Sequence, residues 1–240
     1  MQKNEIIHLS GCDCSGKTTI CTKLSKKTGY PIKHFDKPKS MLDAKNEYFN
    51  FVKFLDKSYI CDRLHDGEFI YAPLYRGYTA DYLSQFEKKL RRVPYLFVNT
   101  TASLDTLLKR ANQRGEDFVK LEDFKKVVDL FDKYLFSQSM PYIKIDTELN
   151  DSEFNANKIL EYMADIRDLH KKNKSRDIYF GNLEANYLIV MNNVELIDEV
   201  KFDLLEKGIY YKSWFTTNEN KDFINLQKDK LPNLEKVLKF

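Results

Sequence analysis

A chain of 240 residues with 42% hydrophobic and 31% charged side chains is long enough to bury one substantial core, alone or with a small companion domain. A net charge of +3 supplies no strong field for nucleic acid or anionic lipid, and no apolar run approaches bilayer length, so membrane partners are set aside. The opening MQKNEIIHLS lacks the apolar stretch of a signal peptide, and a cytoplasmic location is expected.

Glu5 to Leu9 (EIIHL) reads as a short buried strand. A glycine loop follows, then a helix from Gly16 to about Lys27, stopped by Gly29 and Pro31. YPIKHF (30–35) is a second strand and DKPKS after it a turn. Residues 42–56 place Leu42, Phe49, Val52 and Leu55 on one helical side. SYICDR (58–63) is a third strand, 79–92 a helix, and PYLFVNT (94–100) a fourth strand. Ser103 is placed to cap the helix LDTLLKRANQR. Helices over 121–137 and 152–170 flank a fifth strand, YIKID (142–146).

This alternation predicts an α/β fold: a five-stranded parallel sheet with helices on both faces, over residues 1–170. Such sheets bind ligands at the carboxyl ends of their strands. Gly11, Asp62, Asn99 and Asp146 are expected on that rim. The polar, lysine-rich stretch 169–177 reads as a linker to a small α/β module over 177–240, with NYLIVM and IYYKSWF as strands and 194–207 as a helix. From Arg176 onward the tail has nine basic and eleven acidic side chains, so it offers DNA no landing surface. It stays open as a homodimer contact, a partner site or a second activity.

Cys12, Cys14, Cys21 and Cys61 all fall in the first 61 residues. The spacing Cys12-x-Cys14 is too tight for the usual zinc knuckles, so reduced structural thiols are expected.

GCDCSGKT (11–18), followed by Thr19, has the spacing G-x-x-x-x-G-K-T. Gly11 and Gly16 let successive N–H groups of Cys12, Asp13, Cys14 and Ser15 turn around an anionic phosphate. Lys17 reaches the transferring phosphate, the Thr18 hydroxyl suits Mg²⁺, and the positive end of the helix points to the same place. A nucleotide-binding loop for ATP is the reading. Asp13 is the odd member, because a carboxylate facing a triphosphate repels it. It is read either as turned toward a sugar hydroxyl or as a solvated loop residue.

Here the sequence resembles the thymidylate kinases. GCDCSGKT carries their acidic loop residue, SYICDR their acid-arginine motif after the third strand, and 94–118 their fourth strand, helix and arginine-bearing lid. The resemblance covers about residues 5–170. It implies that Asp13 contacts the acceptor's sugar and Arg63 its phosphate, that Lys17 and Thr18 serve ATP and Mg²⁺, and that Arg110 and Arg114 close over the transferring group. It departs at Leu9-Ser10, at HFDKPKS and at LHDGEFIYAPLYRG, segments that line the acceptor pocket. Deoxynucleoside kinases, which share that fold, place an acid after the second strand, where this chain has Asp36.

Independently of any family, a triphosphate donor and a monophosphate acceptor repel, so several cations must converge. Lys17, Arg63, Arg76, Arg110 and Arg114 are available in expected rim loops or helix ends. For Arg63 the competing reading is an ion pair with Asp66 or Glu68; for the other two, a solvated helix face. Gly115 gives the lid a hinge. Asp62 is read as a holder of Mg²⁺-bound water, or as an orienter of Arg63. His65 is read as a rim histidine with a local hydrogen bond, with a base or phosphate contact as the alternative. Phe69, Tyr71, Tyr75 and Tyr78 either sandwich a base or belong to the core.

The reading is ATP-Mg²⁺-dependent phosphorylation of a deoxynucleoside monophosphate, with small-molecule nucleotides as partners. A hydroxyl acceptor, with Asp36 as base on a nucleoside or on DNA, is the alternative. A non-catalytic nucleotide switch is the second.

Overall fold

The computed structural model describes residues 4–90, 92–115, 119–137 and 140–172, and beyond them the strands 178–180, 186–191, 212–216 and 221–227. β1 (Ile6–Ser10) is buried along its whole length. A parallel strand covered on both faces needs such a continuous run. The register sets it between β3 (Tyr59–Asp62), with His8 beside Cys61, and β4 (Tyr95–Thr101), with Ser10 beside Asn99. β2 (Ile32–His34) and β5 (Tyr142–Asp146) complete a parallel five-stranded sheet in the order β2-β3-β1-β4-β5. The chain fills one side of β1 first and then crosses to the other. The crevice above β1 is therefore the switch point where such sheets bind ligands.

α1 (Lys17–Thr28) ends at Gly29, whose left-handed φ of 72° no β-carbon has to tolerate. α2 (Met41–Lys53) starts at Ser40, whose hydroxyl accepts from the Asp43 amide. α5 (Leu104–Arg114) is capped by Ser103 as its sequence predicts. A 3-10 turn (Leu121–Asp123) leads into α6 (Phe124–Ser137), and α7 (Ser152–Lys172) packs along α1.

Three expectations change. A helix the sequence did not signal, α3 (Asp66–Tyr75), follows β3 despite Gly67 and the internal Pro73. The helix expected over 79–92 is shorter, α4 (Leu83–Leu90). Asn99 lies inside β4, two residues before its end.

Two clusters account for part of the apolar core among the described residues, while Ile20, Leu24, Val98, Ile159 and Met163 are buried outside both. One cluster gathers Ile6, Tyr48, Phe86, Tyr95, Phe97 and Tyr134, the other Ile70, Leu107, Val119, Phe124 and Phe131. In the tail, β6 (Ile178–Phe180), β7 (Asn186–Met191), β8 (Lys212–Thr216) and β9 (Lys221–Gln227) form an antiparallel sheet in the order β6-β7-β9-β8. The helix expected over 194–207 lies outside the described residues, as does the linker beyond Lys172. No helix among the described residues is long and apolar enough to cross a membrane.

Candidate active site

The glycine loop is held by its own backbone geometry. A β-carbon on Gly11 would stand 2.1 Å from the Thr100 carbonyl oxygen, so only glycine lets the loop pass this close to β4. Cys14 and Arg63 both take left-handed φ values, 62° and 67°. That conformation is unfavourable for a residue with a side chain, and it clusters at functional sites. Ser15 Oγ lies 2.7 Å from Thr100 Oγ1, which donates to the Ser10 carbonyl.

Lys17 is buried, and its ammonium donates to the carbonyls of Gly11 and Cys12, both at 2.8 Å. Burial pushes its pKa down, and the nearby Asp13 charge opposes that. Cys12 shares only its backbone with the loop. Its side chain joins the apolar core, where burial raises the thiol to about 12.

One cavity opens over this loop. Its lining includes Asp13 to Thr19 from the loop and α1, with Asp62 and Arg63 from the end of β3. Arg110 and Arg114 come from α5, and His34 from β2. The sequence-predicted cations Lys17, Arg63, Arg110 and Arg114 thus converge on one space. Arg110 Nη1 donates to the Cys14 carbonyl at 3.2 Å and to Thr147 Oγ1 at 3.0 Å. Thr18 is exposed at this cavity, and Asp62 is almost fully buried beside it. Asp62 Oδ1 is buried with no hydrogen-bond partner, a hard acceptor that suits a hydrated Mg²⁺. The donor set therefore fits that ion.

A second cavity adjoins the first. Asp36, Tyr71 and Arg76 line it, with Gly11, Phe35, Tyr48 and Glu68. Asp13 and Arg63 line both cavities, and Arg63 Nη2 donates to Asp13 Oδ1 at 3.1 Å. Asp13 Oδ2 accepts from the Val119 amide, so both its oxygens have partners within the protein. Arg63 pairs with neither Asp66 nor Glu68. Asp66 accepts from Ser10 Oγ and lies 2.9 Å from His8, while Glu68 is bound by Arg76 at 2.7 Å and by Tyr78 at 2.6 Å.

The aromatic group after Arg63 divides. Tyr71 lines the second cavity, Phe69 packs against both core clusters, Tyr75 donates to Asp123, and Tyr78 is held by Glu68. His65 is not on the rim: it is fully buried, 2.9 Å from the Tyr134 hydroxyl. Asp36 has a carboxylate 95% exposed beside the second cavity.

Sequence reasoning missed His34, and it read Glu68 only as a competing partner for Arg63 and not as the partner of Arg76. Glu68 stands two helical turns before Arg76, a signal visible only once α3 is known. His34 becomes a neighbour of Asp62 only through the pairing of β2 with β3.

No protein-family profile matches the chain. Among curated proteins, the SPbeta prophage-derived uncharacterized protein YorR of Bacillus subtilis (strain 168) is 28% identical over 151 residues, 59% of this chain and 88% of that one. The crystal structure of Bacillus subtilis YorR in complex with phosphorylated GDP superposes with a TM-score of 0.59 at 24% identity, covering 69% of this chain and 98% of that chain. The chain shares the α/β fold of YorR, a five-stranded parallel sheet flanked by helices. A deoxyadenosine kinase from M. mycoides with bound dCTP overlaps more loosely, with a TM-score of 0.48 and 16% identity over 67% of this chain and 99% of that chain.

Proposed function

We propose that this chain is a P-loop kinase that transfers the terminal phosphoryl group of ATP to a deoxynucleoside monophosphate. The observation that carries the reading is the paired cavity, one cation-rich over the glycine loop and one aromatic-walled beside it, with Arg63 and Asp13 in the wall between them. YorR, which shares the fold and was crystallised with phosphorylated GDP, supports a nucleotide ligand.

In this reading the backbone amides from Gly11 to Lys17 and the N-terminal end of α1 hold the donor's phosphates. Lys17, Arg110 and Arg114 compensate the charge on the transferring group. Mg²⁺ held by Thr18, and through water by Asp62, would neutralise charge on the donor's terminal phosphates. Arg63 grips the acceptor phosphate and turns one of its oxygens toward the donor. The bond from the γ-phosphorus to the bridging oxygen breaks, leaving ADP, and a bond to the acceptor oxygen forms, giving the diphosphate. That oxygen is already anionic and needs no base. Tyr71 and Arg76 contact the nucleoside part, and Asp13, whose two oxygens are taken by Arg63 and the Val119 amide, holds Arg63 in place for the acceptor phosphate instead of reaching the sugar itself.

A second reading, transfer to a hydroxyl of a nucleoside or of DNA, rests on Asp36. Its carboxylate is almost wholly exposed and lines the acceptor cavity, where a base for an incoming hydroxyl would stand. A panel with labelled ATP decides between them: deoxynucleoside monophosphates, free nucleosides, and DNA bearing 5′-hydroxyls. Diphosphate formed from a monophosphate supports the first reading, and transfer only to nucleosides or DNA replaces it with the second. ATP binding without transfer to any acceptor would leave a nucleotide-binding switch.

A further inference from the structure

His34 lines the donor cavity and has no part in the transfer described above. It ends β2 directly beside Asp62, its partner in the parallel register with β3. Neighbouring side chains in such a pair project to the same face. His34 Nδ1 lies 3.2 Å from Asp62 Oδ2. A carboxylate only accepts, so the imidazole donates, with its proton on Nδ1. The other ring nitrogen is 3.6 Å from Asp36 Oδ1, but that carboxylate is 95% exposed and anchors the ring weakly.

The two oxygens of Asp62 therefore differ. Oδ2 is committed to His34, while Oδ1 is buried with no partner. We propose that His34 is a positioning residue for the metal-binding carboxylate: by fixing Oδ2 it reserves Oδ1 for the hydrated Mg²⁺ that accompanies the donor nucleotide. The inference rests on the reading that this cavity takes ATP-Mg²⁺. Partners that orient a metal-binding group in this way typically change metal affinity ~10–100-fold when removed. His34 is nearly half exposed at the end of an edge strand, so its replacement disturbs little of the core.

The test is binding of a fluorescent ribose-labelled ATP analogue to the full chain, with Mg²⁺ and with a chelator, for the wild type, His34→Ala and His34→Asn. Mn²⁺ binding in the presence of ATP, read by electron paramagnetic resonance, provides a second readout. His34→Ala should keep the metal-free affinity within about twofold and lose about tenfold of the gain that metal gives. His34→Asn, whose amide can donate from nearly the position of Nδ1, should recover most of that gain, with Mn²⁺ following the same order. Full metal gain in His34→Ala, equal losses with and without metal, or no recovery in His34→Asn overturns the inference and leaves the kinase reading standing. A wild type that binds no analogue under either condition removes the donor reading and this inference with it.

Discussion

Arg63 Nη2 and Asp13 Oδ1 meet at 3.1 Å in the wall common to the two cavities, tying the residue after β3 to the glycine loop fifty positions earlier. Asp13 is also the acceptor for the buried Val119 amide, which brings the segment beyond α5 to the same carboxylate. One side chain thus links the phosphate loop, the candidate acceptor arginine and the far side of the arginine-bearing segment. Asp13 repels a triphosphate only in isolation; here Arg63 compensates its charge.

The backbone at Arg63 allows its guanidinium to be separated from its fold. With φ at 67°, any residue with a β-carbon is strained there, by about 1 kcal/mol relative to glycine. Arg63→Gly should therefore be more stable than Arg63→Ala by about that amount in urea denaturation. Both should lose transfer activity by on the order of 10²-fold, the scale for removing one charge-stabilising donor. A glycine variant less stable than the alanine variant would contradict the strain argument. Retained activity in both would remove Arg63 from the chemistry.

Gly11 is constrained by contact as well as by torsion. Its φ is 143°, and an added β-carbon would stand 2.1 Å from the Thr100 carbonyl and 2.8 Å from Thr100 Oγ1. A backbone oxygen in β4 cannot rotate away, so Gly11→Ala must displace the loop or the strand. The expected cost is about 1–3 kcal/mol, with nucleotide binding lost. Gly115→Ala is the control: its φ is 97° but nothing lies within 4 Å of the added carbon, so only torsional strain is paid. Thermal melts of the two variants should rank Gly11→Ala well below Gly115→Ala, and the reverse order would refute the steric account.

Behind the loop, Asp66 is completely buried among His8, Ser10 and His65. Burial alone would raise its carboxyl. The His8 charge, the hydrogen bonds from His8 and Ser10, and His65 outweigh that and hold it at about 2, below the ordinary 3.8. A depressed acid stabilises the fold fully above its unfolded pKa and loses that contribution as pH falls through the folded value. The advantage of the wild type over Asp66→Asn should shrink by about 2 kcal/mol as pH falls from 3.8 to about 2. Paired urea titrations across that range measure it. An advantage that holds level down to pH 2 would mean that Asp66 is not protonated on unfolding as argued.

The parts of this chain readable from sequence are those whose cause is local. The run Ile6-Ile7 before Gly11, the Ser103 cap and the stop at Gly29 each carry their signal within a few residues. α3 was unreadable because Gly67 and Pro73 argue against a helix. What sustains it is tertiary, the burial of Ile70 and Ala72 and the pairing of Glu68 with Arg76 across two turns. The buried position of His65 follows from that helix. In the candidate site, the convergence of Lys17, Arg63, Arg110 and Arg114 could be anticipated from strand ends and the family resemblance. The partners of Asp13 and the contact of His34 with Asp62 could not, since they depend on register and on loops meeting across the rim.

Arg110 differs from a lid arginine that waits in solvent. Its Nη1 donates to the Cys14 carbonyl and Thr147 Oγ1, and its Nη2 to the Thr147 carbonyl at 3.3 Å. Thr147 in turn lies against the glycine loop, its Cγ2 standing 3.3 Å from where a β-carbon on Gly16 would be. Arg110 therefore clamps the glycine loop to the segment after β5, and its planar fork reaches both at once. A lysine offers one point charge and cannot span them. Arg110→Ala should raise the KM for ATP by about tenfold, the scale of losing one or two such bonds, and leave the acceptor's KM within about twofold. Arg110→Lys should recover little of the loss. If steady-state kinetics show both KM values rising together, the clamp is not specific to the donor side and Arg110 belongs to the wall that both substrates share.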